Sequence, residues 1–211
     1  MDATVTVTAV ESVGPDTVAI EFETPTGFDA QPGQFVKLSA TVDGEEYGRF
    51  YTLSSPDTIE SFEITVEIDP EEGGPFSDHL AALSEGDDIE MSGPFGSDYY
   101  EDEPRVVVLA GGPGIGPAVG IGERVIADGG ELAIIYKDDD PAHEARLAEL
   151  DAAGASVAIT DGSIDEAVDA AVTGGDEQVF VYGFADFVDE ATAAVEAAGG
   201  DPDAIKAENF G

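Results

Sequence analysis

Cysteine is absent from this chain, and only two histidines, His79 and His143, are present. Without cysteine there is no disulfide, no thiolate metal site and no cysteine-bound iron–sulfur cluster. Two histidines in helical, acid-rich surroundings give no basis for a metal centre. No metal ligand is assigned, and both are expected to be solvated. Basic residues are scarce as well: seven Lys and Arg stand against 47 Asp and Glu, a formal charge of −40. That balance argues against nucleic acid and anionic membranes as partners. No apolar run approaches the ~20 residues of a membrane span, so no membrane insertion is expected. The N-terminal MDATVTVTAV lacks the basic segment and apolar core of a secretory signal, and a cytoplasmic location is expected.

What is present is an ordinary apolar content of 42% within 211 residues, enough for a core and one or two domains. Acid spread along the whole chain destabilises a compact state by self-repulsion. At about 1 M salt the Debye length falls to about 3 Å and most of that cost disappears. The composition is therefore read as adaptation to a salt-rich cytoplasm, as in extreme halophiles.

The first hundred residues read as strands. TVTVTAV (Thr4 to Val10) and TVAIEFE (Thr17 to Glu23) alternate polar and apolar residues, and QFVKLSATV, the stretch around YGRFYTL, FEITVEI and DDIEMSG continue the pattern. One short helix is expected from about Pro75 to Leu83. Six strands with a single helix predict a small antiparallel β-barrel. After the polar connection GSDYYEDEPR, the runs RVVVLA, ELAIIY, SVAIT and EQVFVYG are almost wholly apolar. Helical segments lie between them, near 117–128, 142–153, 163–172 and 186–198, and Ser163 and Glu166 have capping-box spacing. Apolar strands alternating with helices predict a doubly wound parallel α/β sheet. The expected domains are 1–100 and 101–211.

Two stretches point to chemistry. LAGGPGIGP (Leu109 to Pro117) follows the first strand of the second domain and opens a helix. Gly111, Gly112 and Gly114 let backbone N–H groups approach a ligand, and the helix directs its positive end at the same place. Both suit a diphosphate, although a tight turn also uses such glycines. From Gly112 the pattern is G-x-G-x-x-P, not the dinucleotide fingerprint G-x-G-x-x-G. GRFYTLSSP (Gly48 to Pro56) puts a scarce cation, Arg49, beside Tyr51 and a run of hydroxyls.

Together these stretches resemble the ferredoxin–NADP(+) reductase family. RFYTLSSP is similar to its R-x-Y-[ST] flavin motif and GGPGIGP to its nicotinamide-nucleotide loop G-G-x-G-I-x-P. QPGQFVKL, GGPFSDHL, GDDIEMSGPFG, VYGFADFVDEATAAVEAAG and IKAENFG resemble further family segments, in the family's order. The resemblance implies a flavin-binding barrel (1–100) and an NAD(P)-binding α/β domain (101–211). It implies that Arg49 pairs with the flavin diphosphate, that Tyr51 packs on the flavin and that Thr52 hydrogen-bonds near its N5. Leu53, Ser54, Gly73, Gly74 and Ser77 fall in the same flavin segments, and Phe210 would cover the opposite flavin face. Gly111, Gly112, Gly114, Ile115, Pro117 and Gly183 would hold the nucleotide. FAD is implied ahead of FMN.

Some positions depart from the family pattern. Tyr182 stands where the family has a cysteine beside the hydride-transfer site, and Phe184 replaces a proline. Glu208 is either near the nicotinamide or a surface charge. Thr52, Tyr182 and Glu208 are the candidate catalytic residues. Phe95 is read as barrel core. The second strand of the α/β domain ends in Lys137, Asp138, Asp139 and Asp140. Acid there accepts a ribose hydroxyl and repels a 2′-phosphate, which favours NADH over NADPH with Asp139 as the ribose partner; a solvated acidic loop is the other reading. The expected activity is a flavin-dependent NAD(P)H oxidoreductase passing electrons to ferredoxin or another acceptor. The alternative is a non-turnover electron-transfer or nucleotide-sensing subunit of a larger redox complex.

Overall fold

The computed structural model describes residues 1–68 and 74–211. Gly73 lies outside the described residues. The first six strands, β1 (Asp2–Gly14), β2 (Thr17–Glu23), β3 (Phe35–Val42), β4 (Glu45–Thr52), β5 (Ser61–Glu67) and β6 (Asp88–Phe95), form one antiparallel sheet in the order β4-β3-β6-β1-β2-β5. The sheet curls until its edge strands meet at a bridge between Leu53 and Ile64. Alternation places Ile20, Phe22, Leu38, Phe62 and Ile64 inside. A short helix, α1 (Pro75–Ala81), plugs this core with Phe76 and Leu80. Strand β1 is longer than the alternating stretch predicts, because its first half pairs with β6 and its second half with β2.

The second sheet is wholly parallel, in the order β11-β10-β7-β8-β9. Its strands are β7 (Arg105–Gly111), β8 (Glu131–Lys137), β9 (Ser156–Thr160), β10 (Gln178–Gly183) and β11 (Lys206–Asn209). Period-two alternation divides the apolar runs between two cores. Val106, Val108, Ile134 and Phe180 pack against α2 (Ile115–Ala127) and α3 (Glu144–Ala152). Val107, Leu109, Ile135 and Val181 pack against α4 (Asp165–Ala171) and α5 (Ala185–Ala197). Burial of both faces is why β7, β8 and β10 carry no polar alternation, whereas the edge strands β9 and β11 are only partly buried.

Four expectations need correction. β11 is a fifth strand that its polar sequence, KAEN, does not announce. Ser163 bonds Asp165, donating to its carboxylate at 2.9 Å and accepting its N–H at 3.2 Å, so the predicted Ser163–Glu166 box does not form. Phe95 is 41% exposed and contacts Phe35 and Phe50 on the outside of the curled sheet. His143 is only 3% exposed, because it caps α3 where that helix meets the first domain.

That meeting is a polar seam. His143 Nε2 lies 2.9 Å from Thr65 Oγ1, which lies 2.7 Å from Ser54 Oγ. Arg146 of α3 donates to Glu63 of β5 at 2.7 Å, to the backbone oxygen of Ser54 at 2.6 Å, and to Glu123 of α2 at 2.7 and 2.9 Å. Helix α2 approaches through glycine. A Cβ at Gly116 would lie 2.6 Å from Thr65 Oγ1, and one at Gly120 would lie 2.8 Å from the backbone of Ser54. A second tie runs from β11, where Lys206 donates to the carbonyl of Tyr99 and to Glu101 and Glu103.

Candidate functional site

Beside the seam the two sheets leave an open cleft with two connected parts. One, of about 230 Å³, is lined by Arg49, Tyr51, Thr52, Ser77, Pro117 and Phe210, among others. The other, of about 490 Å³, is lined by Gly111, Gly112, Lys137, Asp139, Asp186 and Glu190, among others. Glu67 and Phe184 line both. The second part lies at the carboxyl ends of β7 and β8, where open parallel sheets place their ligands.

Arg49 is exposed on the edge strand β4. Among the described residues its guanidinium donates only to the neighbouring carbonyl of Gly48, at 3.0 Å. Five of the seven basic residues, Arg105, Arg124, Lys137, Arg146 and Lys206, are in ion pairs. Among the described residues Arg49 and Lys37 have none, and of these two only Arg49 lines the cleft. A planar guanidinium left without a carboxylate in so acidic a chain suits a diphosphate. Tyr51 is half-buried next to it, and burial raises its phenol pKa to about 12, so the ring stays neutral. Ser77, in the first turn of α1, lines the same part; Gly74 caps that helix.

Thr52 Oγ1 donates to Glu208 Oε2 at 2.8 Å, joining β4 to β11 across 156 residues. Burial raises the Glu208 pKa, with the Thr52 hydrogen bond opposing it and Asp98 adding to it. Of this hydrogen-bonded pair, Thr52 lines the cleft and Glu208 stands behind it. Phe210 lines the cleft opposite β4 and stacks on Tyr182 with ring centroids 6.5 Å apart. Tyr182 itself is 1% exposed and backs Phe210 rather than lining the cleft. Its hydroxyl points at Gly33, where a Cβ would lie 2.8 Å away. Contact between Tyr182 and a nicotinamide is therefore not what this arrangement offers.

Other candidates serve the scaffold. Leu53 is in the barrel core and its N–H donates to Gln34, while Ser54 is buried in the seam and its N–H donates to Glu63. Neither side chain lines the cleft: as consecutive residues they point to opposite sides, Leu53 into the barrel core and Ser54 into the seam. Ile115 is buried in the second core. Gly114 is glycine because a Cβ would lie 2.1 Å from the carbonyl oxygen of Tyr182, and Gly111 and Gly183 because Phe187 occupies that space. Gly112, at φ +54°, lines the cleft together with its loop neighbours Gly111 and Pro113. Asp138 accepts from Tyr136 Oη and from the N–H of Asp140, both at 2.9 Å, while Asp139 is exposed and lines the second part of the cleft. Lys137 is held by Glu190. The seam residues Thr65, His143, Arg146 and Glu123 had no sequence signal, since their partners lie 11 to 92 positions away.

A curled antiparallel sheet joined to a parallel nucleotide-type sheet, with a cleft at the junction, is the two-domain ferredoxin reductase-like fold. The fold matches a ferredoxin NADP+ reductase from Neisseria gonorrhoeae at a TM-score of 0.81 and 18% identity, covering 100% of this chain and 99% of that one. It matches the flavohem-like FAD/NAD binding domain of nitric oxide dioxygenase from Vibrio cholerae at 0.85 and 20% identity, covering 99% and 98%. Residues 4–100 match the family described as the oxidoreductase FAD-binding domain. An NADH-cytochrome b5 reductase-like protein of Mus musculus is 33% identical over 126 residues, covering 58% of this chain and 40% of that protein. A glycine betaine monooxygenase reductase subunit of Pseudomonas aeruginosa is 41% identical over 99 residues, covering 45% and 26%. The matched segments thus span less than half the length of these relatives.

Proposed function

We propose that the chain is a flavin-dependent NAD(P)H oxidoreductase, with 1–100 as its flavin domain and 101–211 as its nucleotide domain. The observation that carries this reading is Arg49, a cleft-facing cation without a carboxylate partner among the described residues, placed across from the nucleotide-type loop. Arg49, Tyr51, Gly74 and Ser77 would hold FAD, with Phe210 on the opposite side. FAD held there would supply the redox chemistry that links a nicotinamide donor to an acceptor, ferredoxin or a protein like it. Thr52 would face the flavin, with Glu208 behind it. Gly112 and Pro117 support the nucleotide, and Asp139 receives the adenine ribose. NADH is the preferred donor, since Asp139 meets a 2′-phosphate as a like charge. The excess of 40 negative charges supports work in a salt-rich cytoplasm. The described residues contain no helix long and apolar enough to cross a membrane.

The test is reconstitution with FAD in molar KCl, followed by anaerobic addition of NADH. The expected result is a yellow protein whose visible absorbance bleaches. A second reading, an electron-transfer subunit docked on a larger complex, draws on the exposed rings of Phe50 and Phe95 beside the cleft. It predicts a yellow protein that NADH does not bleach. A colourless protein that takes up no flavin contradicts both.

A further inference from the structure

The nucleotide part of the cleft carries the carboxylates Glu67, Asp138, Asp139, Asp161, Asp186 and Glu190, and one cation, Lys137. Lys137 ends β8 and pairs in register with Gly111 of the glycine loop. It stands where a cation could receive a phosphate on the adenine ribose. It is not available for that task. Its Nζ donates to both carboxylate oxygens of Glu190, each at 2.7 Å, and Glu190 comes from α5, 53 residues away. Both side chains are only about one-third exposed, at 30% and 36%.

We infer that Glu190 is a specificity-determining positioning residue, which excludes 2′-phosphorylated nucleotides by occupying Lys137. This rests on the reading of the cleft as a nicotinamide-nucleotide site, and goes beyond it by naming a device on a different element from the Asp139 loop. A 2′-phosphate could recruit Lys137 only by breaking the two bonds to Glu190. That would leave the freed carboxylate beside the incoming dianion, within a cleft already acidic. A nucleotide with a 2′-hydroxyl asks nothing of Lys137 and leaves the pair intact. Discrimination thus comes from a partner withheld as much as from a charge that repels. The same pair keeps the one cleft cation on this side from neutralising Asp139.

The prediction is made on binding alone, with 5′-AMP and 2′,5′-ADP titrated calorimetrically into the protein in molar KCl. The quantity read is the ratio of the two affinities, with 5′-AMP reporting an intact cleft. Glu190→Gln should raise the ratio toward 2′,5′-ADP about tenfold, the low end for a charge-assisted bond. Glu190→Ala should do the same. In the double variant Glu190→Gln with Lys137→Gln the rise should vanish. An unchanged ratio in both single variants overturns the inference. So does a rise that persists in the double variant, because loss of one cleft charge, not release of Lys137, would then be the cause. Failure of 5′-AMP to bind the unaltered protein would overturn the nucleotide reading beneath it.

Discussion

The two domains meet along two surfaces built to opposite rules. At the seam the polar groups of Ser54, Glu63, Thr65, Glu123 and Arg146 are matched to one another, and glycines let helix α2 sit directly on the barrel. At the cleft, Arg49 has no carboxylate among the described residues, and the rings of Phe184 and Phe210 line the open space. A chain with seven cations spends Arg146 on holding its halves together and leaves Arg49 facing the space between them. The seam fixes the relative placement of the sheets; the cleft can then present unmatched groups to a ligand without collapsing on itself.

If that contrast holds, damage at the seam should appear in stability, and damage at the cleft in binding. The largest effect is expected at Arg146. Arg146→Met leaves Glu63 and Glu123 facing each other half-buried, and should cost roughly 3 kcal/mol, the low end for breaking a buried pair. Denaturant unfolding in molar KCl measures it; a loss below about 1 kcal/mol would mean the seam is solvated. Next is Gly116→Ala, which pushes a methyl to within 2.6–2.7 Å of Thr65 and Ser54. About 1–3 kcal/mol of overpacking follows. Gly74→Ala, at the cap of α1 where an added Cβ meets nothing within 4 Å among the described residues, should leave the midpoint nearly where it was. Equal effects of the two substitutions would erase the contrast.

A different kind of effect concerns pH. Burial, and secondarily the charge of Arg146, lower the pKa of His143 from 6.5 to about 3. Between those values the unfolded chain binds a proton that the native chain refuses. This contribution to stability is present above pH 6.5 and is lost progressively as pH falls toward 3. His143→Gln should flatten that part of the stability curve. Parallel curves for the two proteins would show that His143 reaches water.

Much of this architecture is legible in the sequence. Alternation marks the barrel strands, and uninterrupted apolar runs mark β7, β8, β9 and β10, because each pattern reflects burial on one face or two. Arg49 is legible because a lone cation in an acidic chain stands out. The seam is not. Nothing local distinguishes Thr65 from any strand threonine, and His143 reads as a solvated helix residue until α3 is seen against β5. Leu53 and Ser54 follow the flavin motif so closely that the inward turn of the chain at the end of β4 has no local sign. Tyr182 occupies a motif position that suggests contact with a nicotinamide, yet its size takes the ring behind Phe210.

The most direct test of the account is FAD affinity. Fluorescence titration should be carried out on the unaltered protein and on Arg49→Ala in molar KCl, with thermal unfolding recorded for each apoprotein. Loss of a charge-assisted bond to a phosphate should weaken FAD about ten- to a hundredfold, while the apoprotein unfolding midpoint stays put, since Arg49 takes no part in the seam. FAD bound with equal affinity by both proteins would contradict the assignment of the cleft.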